Sequence, residues 1–176
     1  SLTVAYLCGR GGPGCQAYVH IAPAHGGWGA SLEADGASAL IALTDGDTYN
    51  YATEVIEAKF PLRIRRYQLN TAAGGGAGRR RGGFGLVREY EILEPGNFLY
   101  CSVGRSETRP WGLEGGADGS CNAVEVERGG AVLRLARSPH LELEPGDRVR
   151  IVTGNGGGYG PPAERPRAAV EADLAA

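Results

Sequence analysis

The chain has 176 residues, of which 42% are hydrophobic and 22% charged, and its formal net charge at pH 7 is −2. This length and hydrophobic content predict one folded domain with its own core and exclude an intrinsically disordered chain. The small net charge gives no general attraction to nucleic acid or to an acidic membrane surface. The sequence contains no apolar run of about 18 residues and its opening lacks the features of a secretion signal, so we expect a cytoplasmic protein without a membrane span.

Short apolar runs separated by turn-forming residues follow one another along most of the chain. In chain order we predict strands at 17–22, 39–43, 62–69, 85–93, 98–103, 122–127, 131–136 and 147–152. Gly, Pro, Asp and Asn fill the stretches between them, including a turn at 45–50. A short helix is predicted at 166–176, where Pro166 precedes good helix formers.

The predicted strand LRIRRYQL at 62–69 alternates apolar and basic residues, which is typical of a strand with one face in water. We expect Arg63 and Arg65 on the wet face, with Leu62, Ile64, Tyr67 and Leu69 turned inward. Short strands with turns about every ten residues favour an antiparallel sandwich or barrel. The fold prediction is therefore a single, mainly β domain over residues 1–176, sandwich or barrel-like, with Gly-rich loops and a short C-terminal helix.

Residues 74–85 read GGGAGRRRGGFG and raise the question of a phosphate cradle. A P-loop requires Lys and Ser or Thr before a helix, whereas this stretch has neither and a predicted strand follows it. A single Gly-Arg insertion in a chain of negative net charge also disfavours nucleic-acid binding. We therefore expect a long hairpin or bulge whose backbone takes angles that glycine allows. Its arginines could still bind a carboxylate or phosphate, or pair with acidic residues of a neighbouring chain.

The four cysteines form no Cys-x-x-Cys pair, and a cytoplasmic location would keep them as reduced thiols. We interpret them as structural or incidental residues. The alternative is a zinc site built from Cys8, Cys15, His20 and His25.

Several motifs, in one order along the chain, together resemble the hydantoinase B/oxoprolinase family. They are GGWGA with DG (26–30, 35–36), NYATEVIEAKFPLR (50–63), the Gly-rich stretch from Tyr67 to Gly85, RPWGLEGG (109–116), and GD with GGGYG and Glu164-Arg165 (146–165). Ala52 departs from the family pattern, which has proline there. Members of the family run to several hundred residues, and this chain resembles only their C-terminal part.

The resemblance implies a component of an ATP-dependent enzyme that opens lactam rings, such as a hydantoinase or 5-oxoprolinase, or of the related acetone and acetophenone carboxylases. In these systems an A-type partner binds ATP and phosphorylates the substrate oxygen. The chain would be a small subunit or C-terminal portion, inactive alone, with larger hydantoinase A/B-like subunits as partners and a lactam or ketone as substrate. ATP and a divalent metal are expected on the partners, and no cofactor on this chain. The alternative is a non-catalytic structural or assembly subunit.

No metal ligand and no nucleophile carries over from the family's N-terminal half. The candidates for chemistry are Arg81, Arg105, Glu54 and Glu57, because a guanidinium can orient an anionic intermediate bidentately. Structural ion pairs that hold the Gly-rich loops are the alternative role for these side chains. The candidates for substrate or loop contacts are Asn50, Gly75, Gly76, Gly78, Gly82, Gly83, Arg109, Gly157 and Gly158.

Overall fold

A computed structural model of the chain describes residues 3–11, 16–41 and 50–175. The strands alternate with turns and loops along this part of the chain. They are β1 (Thr3–Gly9), β2 (Tyr18–Pro23), β3 (Leu62–Leu69), β4 (Leu86–Ile92), β5 (Asn97–Val103), β6 (Ala123–Arg128), β7 (Ala131–Leu135), β8 (Arg137–Leu143) and β9 (Arg148–Val152).

The strands form two antiparallel sheets, and their apolar residues form the core. One sheet has the order β2-β1-β5-β8 and the other the order β3-β4-β9-β6-β7. Leu7 and Leu99 from the first sheet and Tyr90 and Val149 from the second are fully buried in one cluster. Burial of such side chains is the main favourable term for folding. The predicted β domain is thus an open sandwich rather than a closed barrel.

The other predicted strands largely coincide with observed ones, but the prediction at 39–43 is wrong where the structure describes it. Leu40 makes only an isolated bridge to Gly26 and is exposed. Residues 42–49, with most of the predicted turn at 45–50, lie outside the described residues. The structure adds β1 and β8, which the sequence pattern did not reveal.

Strand β3 confirms the predicted strand, and its pairing register turns Tyr67 towards the side of Arg88 and Leu69 towards the side of Leu86, as predicted, but not all of the inward residues are buried. Leu62 is buried and Ile64 half-buried, and the register with β4 then shifts between Ile64 and Arg66. Beyond this bulge Tyr67 and Leu69 are exposed by 43% and 39%. Because β3 is an edge strand, this end of it is left uncovered.

Two short helices accompany the sheets. Helix α1 (Thr53–Lys59), which was not predicted, contacts β3 and buries Ile56. Helix α2 (Arg167–Ala175) follows a 3-10 turn at Pro162–Glu164 and confirms the predicted C-terminal helix. It has no buried side chain, so polar contacts must hold it in place. No helix in the described ranges is long and apolar enough to cross a membrane.

Candidate functional site

Four segments, 26–40, 74–85, 110–120 and 153–160, pack backbone against backbone at one end of the five-stranded sheet. We call them the glycine layer. The starts of β4 and β6 both pair with the end of β9. The segments 74–85, 110–120 and 153–160, which adjoin these three strand ends, therefore lie side by side. Gly156 lies in the middle: its N–H donates to the Gly83 carbonyl at 2.9 Å, and its own carbonyl accepts from Gly76 at 3.0 Å. Segments from four of the resembling motifs therefore form one unit.

Close backbone approach, rather than unusual backbone angles, explains the glycines. A β-carbon on Gly82 would lie 1.9 Å from the carbonyl oxygen of Gly156, and one on Gly83 would lie 2.0 Å from that of Ala37. Within 74–85 only Gly74 has a positive φ, of 63°. The expectation of glycine-only angles is thus wrong for most of this stretch, because the requirement is space. A β-carbon would meet a backbone oxygen within 2.6 Å at each predicted glycine, namely Gly75, Gly76, Gly78, Gly82, Gly83, Gly157 and Gly158.

Most backbone donors of the Gly-Arg stretch have acceptors within the layer. The N–H of Gly82 donates to the Gly76 carbonyl at 2.9 Å, and the N–H of Gly83 donates to the Trp28 carbonyl at 2.8 Å. A phosphate cradle needs several such N–H groups directed at the ligand. These groups are therefore not available to bind a phosphate.

Arg81 and Arg165 connect the glycine layer to helix α2. The Arg81 Nε lies 3.1 Å from a carboxylate oxygen of Asp173, and Arg165 contacts Asp35 and Asp173, each at 2.8 Å. The Arg81 backbone N–H donates to Asp35 at 2.8 Å, and its guanidinium lies 4.3 Å from the centre of the Phe84 ring. The hydrogen bond from Arg165 is the main cause that lowers the pKa of Asp35. Arg81 thus has structural partners both on helix α2 and within the glycine layer.

The remaining chemistry candidates lie on different elements. The guanidinium of Arg105, a residue with φ of 51°, lies 5.2 Å from the centre of the Trp111 ring, and Arg109 is exposed nearby in sequence. Glu57 accepts a hydrogen bond from the Ile64 N–H at 2.8 Å and so joins α1 to β3, while Glu54 is exposed on α1. Among the described residues, no contact joins Arg81 to either glutamate.

A buried polar chain between the two sheets contains the predicted residue Asn50, His20 of the zinc alternative, and two residues that the sequence did not nominate, Arg88 and Tyr90. Arg88 is 5% exposed; it donates to Asn50 Oδ1 at 3.0 Å and to the Tyr90 hydroxyl at 3.4 Å. Its guanidinium lies 4.1 Å from the centre of the Tyr67 ring, and the Tyr90 hydroxyl is 3.2 Å from His20 Nε2. The sequence contained one signal for this buried chain: in the predicted strand at 85–93, the charged residue Arg88 lies on the same face as Tyr90.

Arg88 is the one buried arginine in the described part of the chain, and it has no carboxylate partner there. Burial, assisted by the positive charge of Arg88, lowers the pKa of His20 to about 4, so His20 is neutral at pH 7. Burial also raises the pKa of Tyr90. The buried polar chain therefore has one permanent cation, Arg88, and the partners of this cation are neutral. A guanidinium in this setting can bind an oxyanion through the donors that Asn50 and Tyr90 leave unused.

The zinc alternative conflicts with the register of β1 and β2. His20 pairs with Leu7, and both face the core, whereas Cys8 pairs with Val19 and faces the opposite side of the sheet. Cys8 and His20 therefore cannot ligate one ion, and the proposed set is wrong. Cys15 lies outside the described residues, among which no group of three His, Cys, Asp or Glu residues could hold a metal ion.

Comparison with known proteins gives close relatives. The chain is 32% identical to the B-type subunit of the putative D-/L-hydantoinase of Pseudomonas sp. (strain NS671), over 98% of its length and 29% of that protein. The crystal structure of the ATP-dependent caprolactamase from Pseudomonas jessenii aligns over 98% of this chain and 31% of that one, with a TM-score of 0.75 and 26% identity.

The nucleotide-free acetone carboxylase shares the fold at 18% identity, with a TM-score of 0.78 over 99% of this chain and 27% of its own. The chain thus spans less than a third of each of these three proteins. The sequence signature described as hydantoinase B/oxoprolinase matches residues 3–162. The chain therefore belongs to the hydantoinase B/oxoprolinase family, as its motifs indicated.

Proposed function

We propose that this chain is the β-rich part of a hydantoinase B-type subunit in an ATP-dependent enzyme that opens cyclic amides. The observation that carries the proposal is the match to a hydantoinase B-type subunit over 98% of the chain. The caprolactamase, at 26% identity, acts on a cyclic amide, as its name states. ATP and a divalent metal would be held by partner subunits.

Ketone carboxylation is the second candidate. It is favoured by the acetone carboxylase, whose structure superposes with a TM-score of 0.78. Its identity of 18% speaks for a common fold rather than a common reaction. The relatives named for cyclic amides are more similar in sequence, and we therefore place amide opening first.

Within such an enzyme we assign a framework role to the glycine layer. The Arg81 guanidinium pairs with Asp173 and lies over the Phe84 ring, and the Arg81 backbone N–H donates to Asp35. This leaves little of the side chain for a substrate. The buried chain around Arg88 is a better candidate for contact with an anionic group, because its cation lacks a described carboxylate partner. In the alternative role, the whole chain serves assembly only.

The test is to purify the enzyme that contains this chain from its source and determine its subunits by native mass spectrometry. ATP hydrolysis is then measured with hydantoin, 5-oxoproline or caprolactam, and separately with acetone and bicarbonate. We expect larger subunits in fixed ratio and ATP hydrolysis that depends on a cyclic amide. Stimulation by acetone and bicarbonate alone would support the carboxylase, and a chain without partners would contradict both.

Alanine variants in the assembled enzyme separate framework from chemistry. We expect Arg81→Ala to reduce the amount of assembled enzyme, with unchanged turnover per assembled complex. Arg79→Ala is the matched control, since Arg79 lies in the same stretch and is 3.7 Å from Glu164 at the surface. If Arg81→Ala abolishes turnover while assembly is intact, the framework role of Arg81 is wrong. The same result for Glu54→Ala would favour a role of Glu54 in the chemistry.

A further inference from the structure

The outer face of the four-stranded sheet is apolar. The pairing register places Ile21, Tyr6 and Tyr100 in one row across β2, β1 and β5. A second row contains Val19, Cys8 and Phe98. These side chains point away from the core, because their strand neighbours Leu7, His20 and Leu99 point into it. We call Val4, Tyr6, Val19, Ile21, Phe98 and Tyr100 the apolar face.

Much of the apolar face is open to solvent in this chain. Val19 is exposed by 61%, Ile21 by 54% and Tyr100 by 38%. No described helix covers it, since α1 contacts β3 and α2 is attached to the glycine layer. Contiguous exposed apolar surface of this kind typically marks a protein interaction site.

The outer face of the other sheet shows what a water-facing surface looks like in the same molecule. Arg150 pairs there with Glu89 at 3.1 Å and with Glu125 at 3.5 Å, and Arg65 pairs with Glu91 at 2.6 Å. Val132 is exposed by 61% but lies among charged residues. An antiparallel sheet with one wet face carries polar residues on it, so the apolar face belongs to a sheet covered on both sides.

The polar border of the apolar face lies on β8. Glu142 on β8 is the strand-pairing partner of Phe98 on β5. Its carboxylate contacts Arg10 and, at 2.9 Å, the His140 ring. His140 in turn stacks on Phe98 with 4.8 Å between ring centres. An apolar centre with a charged rim is the usual anatomy of a protein interface. The covering structure should therefore contact β2, β1 and β5 and end near β8.

We infer that the apolar face docks the remainder of a hydantoinase B-type polypeptide, an inference that rests on the proposed function. In the caprolactamase and acetone carboxylase chains, more than two thirds of the residues lie outside the part that matches this chain. There the two parts are joined in one polypeptide, so the matched part has a neighbour to contact. The apolar face is the surface of this chain with the composition of such a contact.

The test combines photo-crosslinking with a pair of matched substitutions in the enzyme purified from its source. p-Benzoylphenylalanine replaces Val19, and the crosslinked peptide is identified by mass spectrometry. In parallel, Val19→Lys is compared with Val132→Lys, because both valines lie on strands and are exposed by 61%, on opposite outer faces. Melting of the free chain, followed by circular dichroism, checks that both variants fold.

We expect crosslinks to hydantoinase B-type sequence outside these 176 residues. Val19→Lys should weaken the association of this chain with the remainder of the B-type polypeptide at least about tenfold. Val132→Lys should change the same association less than about twofold. A crosslink to a second copy of this chain, to an A-type subunit, or to nothing would overturn the inference, as would equal effects of the two substitutions. The crosslink does not depend on turnover. A crosslink to B-type sequence in an enzyme inactive on cyclic amides would therefore refute only the proposed reaction.

Discussion

Gly27 approaches Gly83 so closely that a β-carbon on Gly27 would lie 2.0 Å from the Gly83 carbonyl oxygen. On the adjacent Gly26 a β-carbon would lie 3.8 Å from its nearest neighbour, an ordinary contact. We therefore expect Gly27→Ala to lower the free energy of unfolding by about 3 kcal/mol and Gly26→Ala by less than about 1 kcal/mol. Urea unfolding of both variants is the measurement. Equal losses of the free energy of unfolding in the two variants would show that close backbone approach is not the reason why the layer needs glycine.

The contact between Asp35 and Arg165 should make the attachment of helix α2 sensitive to acid. The pKa of Asp35 is lower in the folded state, so its contribution to stability is complete above about pH 4 and is lost as the pH falls through the folded pKa. Asp35→Asn should remove this part of the acid dependence. Unfolding is followed between about pH 6 and 3 for Asp35→Asn, Arg165→Gln and the double variant. Because Asp35 is partly exposed, we expect an interaction on the order of 1 kcal/mol, and additive effects would contradict the contact.

His20 should titrate far below an ordinary histidine. Its pKa is lowered to about 4 in the folded state, against about 6.5 in an unfolded chain. Its contribution to stability is therefore complete above about pH 6.5 and falls by about 3 kcal/mol as the pH drops to about 4. NMR titration of the His20 ring should give a midpoint near 4, and His20→Gln should flatten the stability profile over this range. A midpoint near 6.5 would place His20 in contact with water.

Arg88 and Arg150 should respond in opposite directions to the same substitution. Arg88 is buried against neutral partners, so Arg88→Met removes the cost of a buried charge and should raise the free energy of unfolding by about 1 kcal/mol. Arg150→Met leaves Glu89, 6% exposed, without its cation and should cost about 3 kcal/mol. Chemical denaturation gives both values.

If Arg88→Met is as destabilising as Arg150→Met, the hydrogen bonds to Asn50 and Tyr90 are structural and Arg88 needs no ligand. If it stabilises the chain and also reduces turnover of the assembled enzyme, Arg88 is maintained for function at the expense of stability. Turnover of the Arg88→Met enzyme is thus the second measurement for this residue.

The sequence predicted most strands because alternation and turn residues are local signals. β8 escaped because Pro139 interrupts its pattern, and a proline is tolerated there only since β8 is an edge strand with an irregular register near Cys101. Helix α1 escaped because seven residues are too few to form a stable helix alone, and its order comes from Ile56 in the core.

The candidate site was harder to predict because its members meet only in three dimensions. The Gly-rich motifs were identified, but their purpose was assigned to backbone angles, since one segment alone cannot reveal that Gly82 lies against Gly156. Likewise Arg88 and Tyr90 share a strand face that sequence alternation predicts, whereas His20 reaches them from the other sheet. No local pattern carries that information.

The glycine layer also sets an order of events during synthesis. The Gly27 N–H donates to the Gly154 carbonyl at 3.0 Å, so the first segment of the layer must wait for nearly the last one. At a translation rate of roughly 5–20 residues per second, that wait is on the order of ten seconds. Until then the Gly27 N–H lacks this acceptor, and a polypeptide that ends before Gly154 cannot complete the layer.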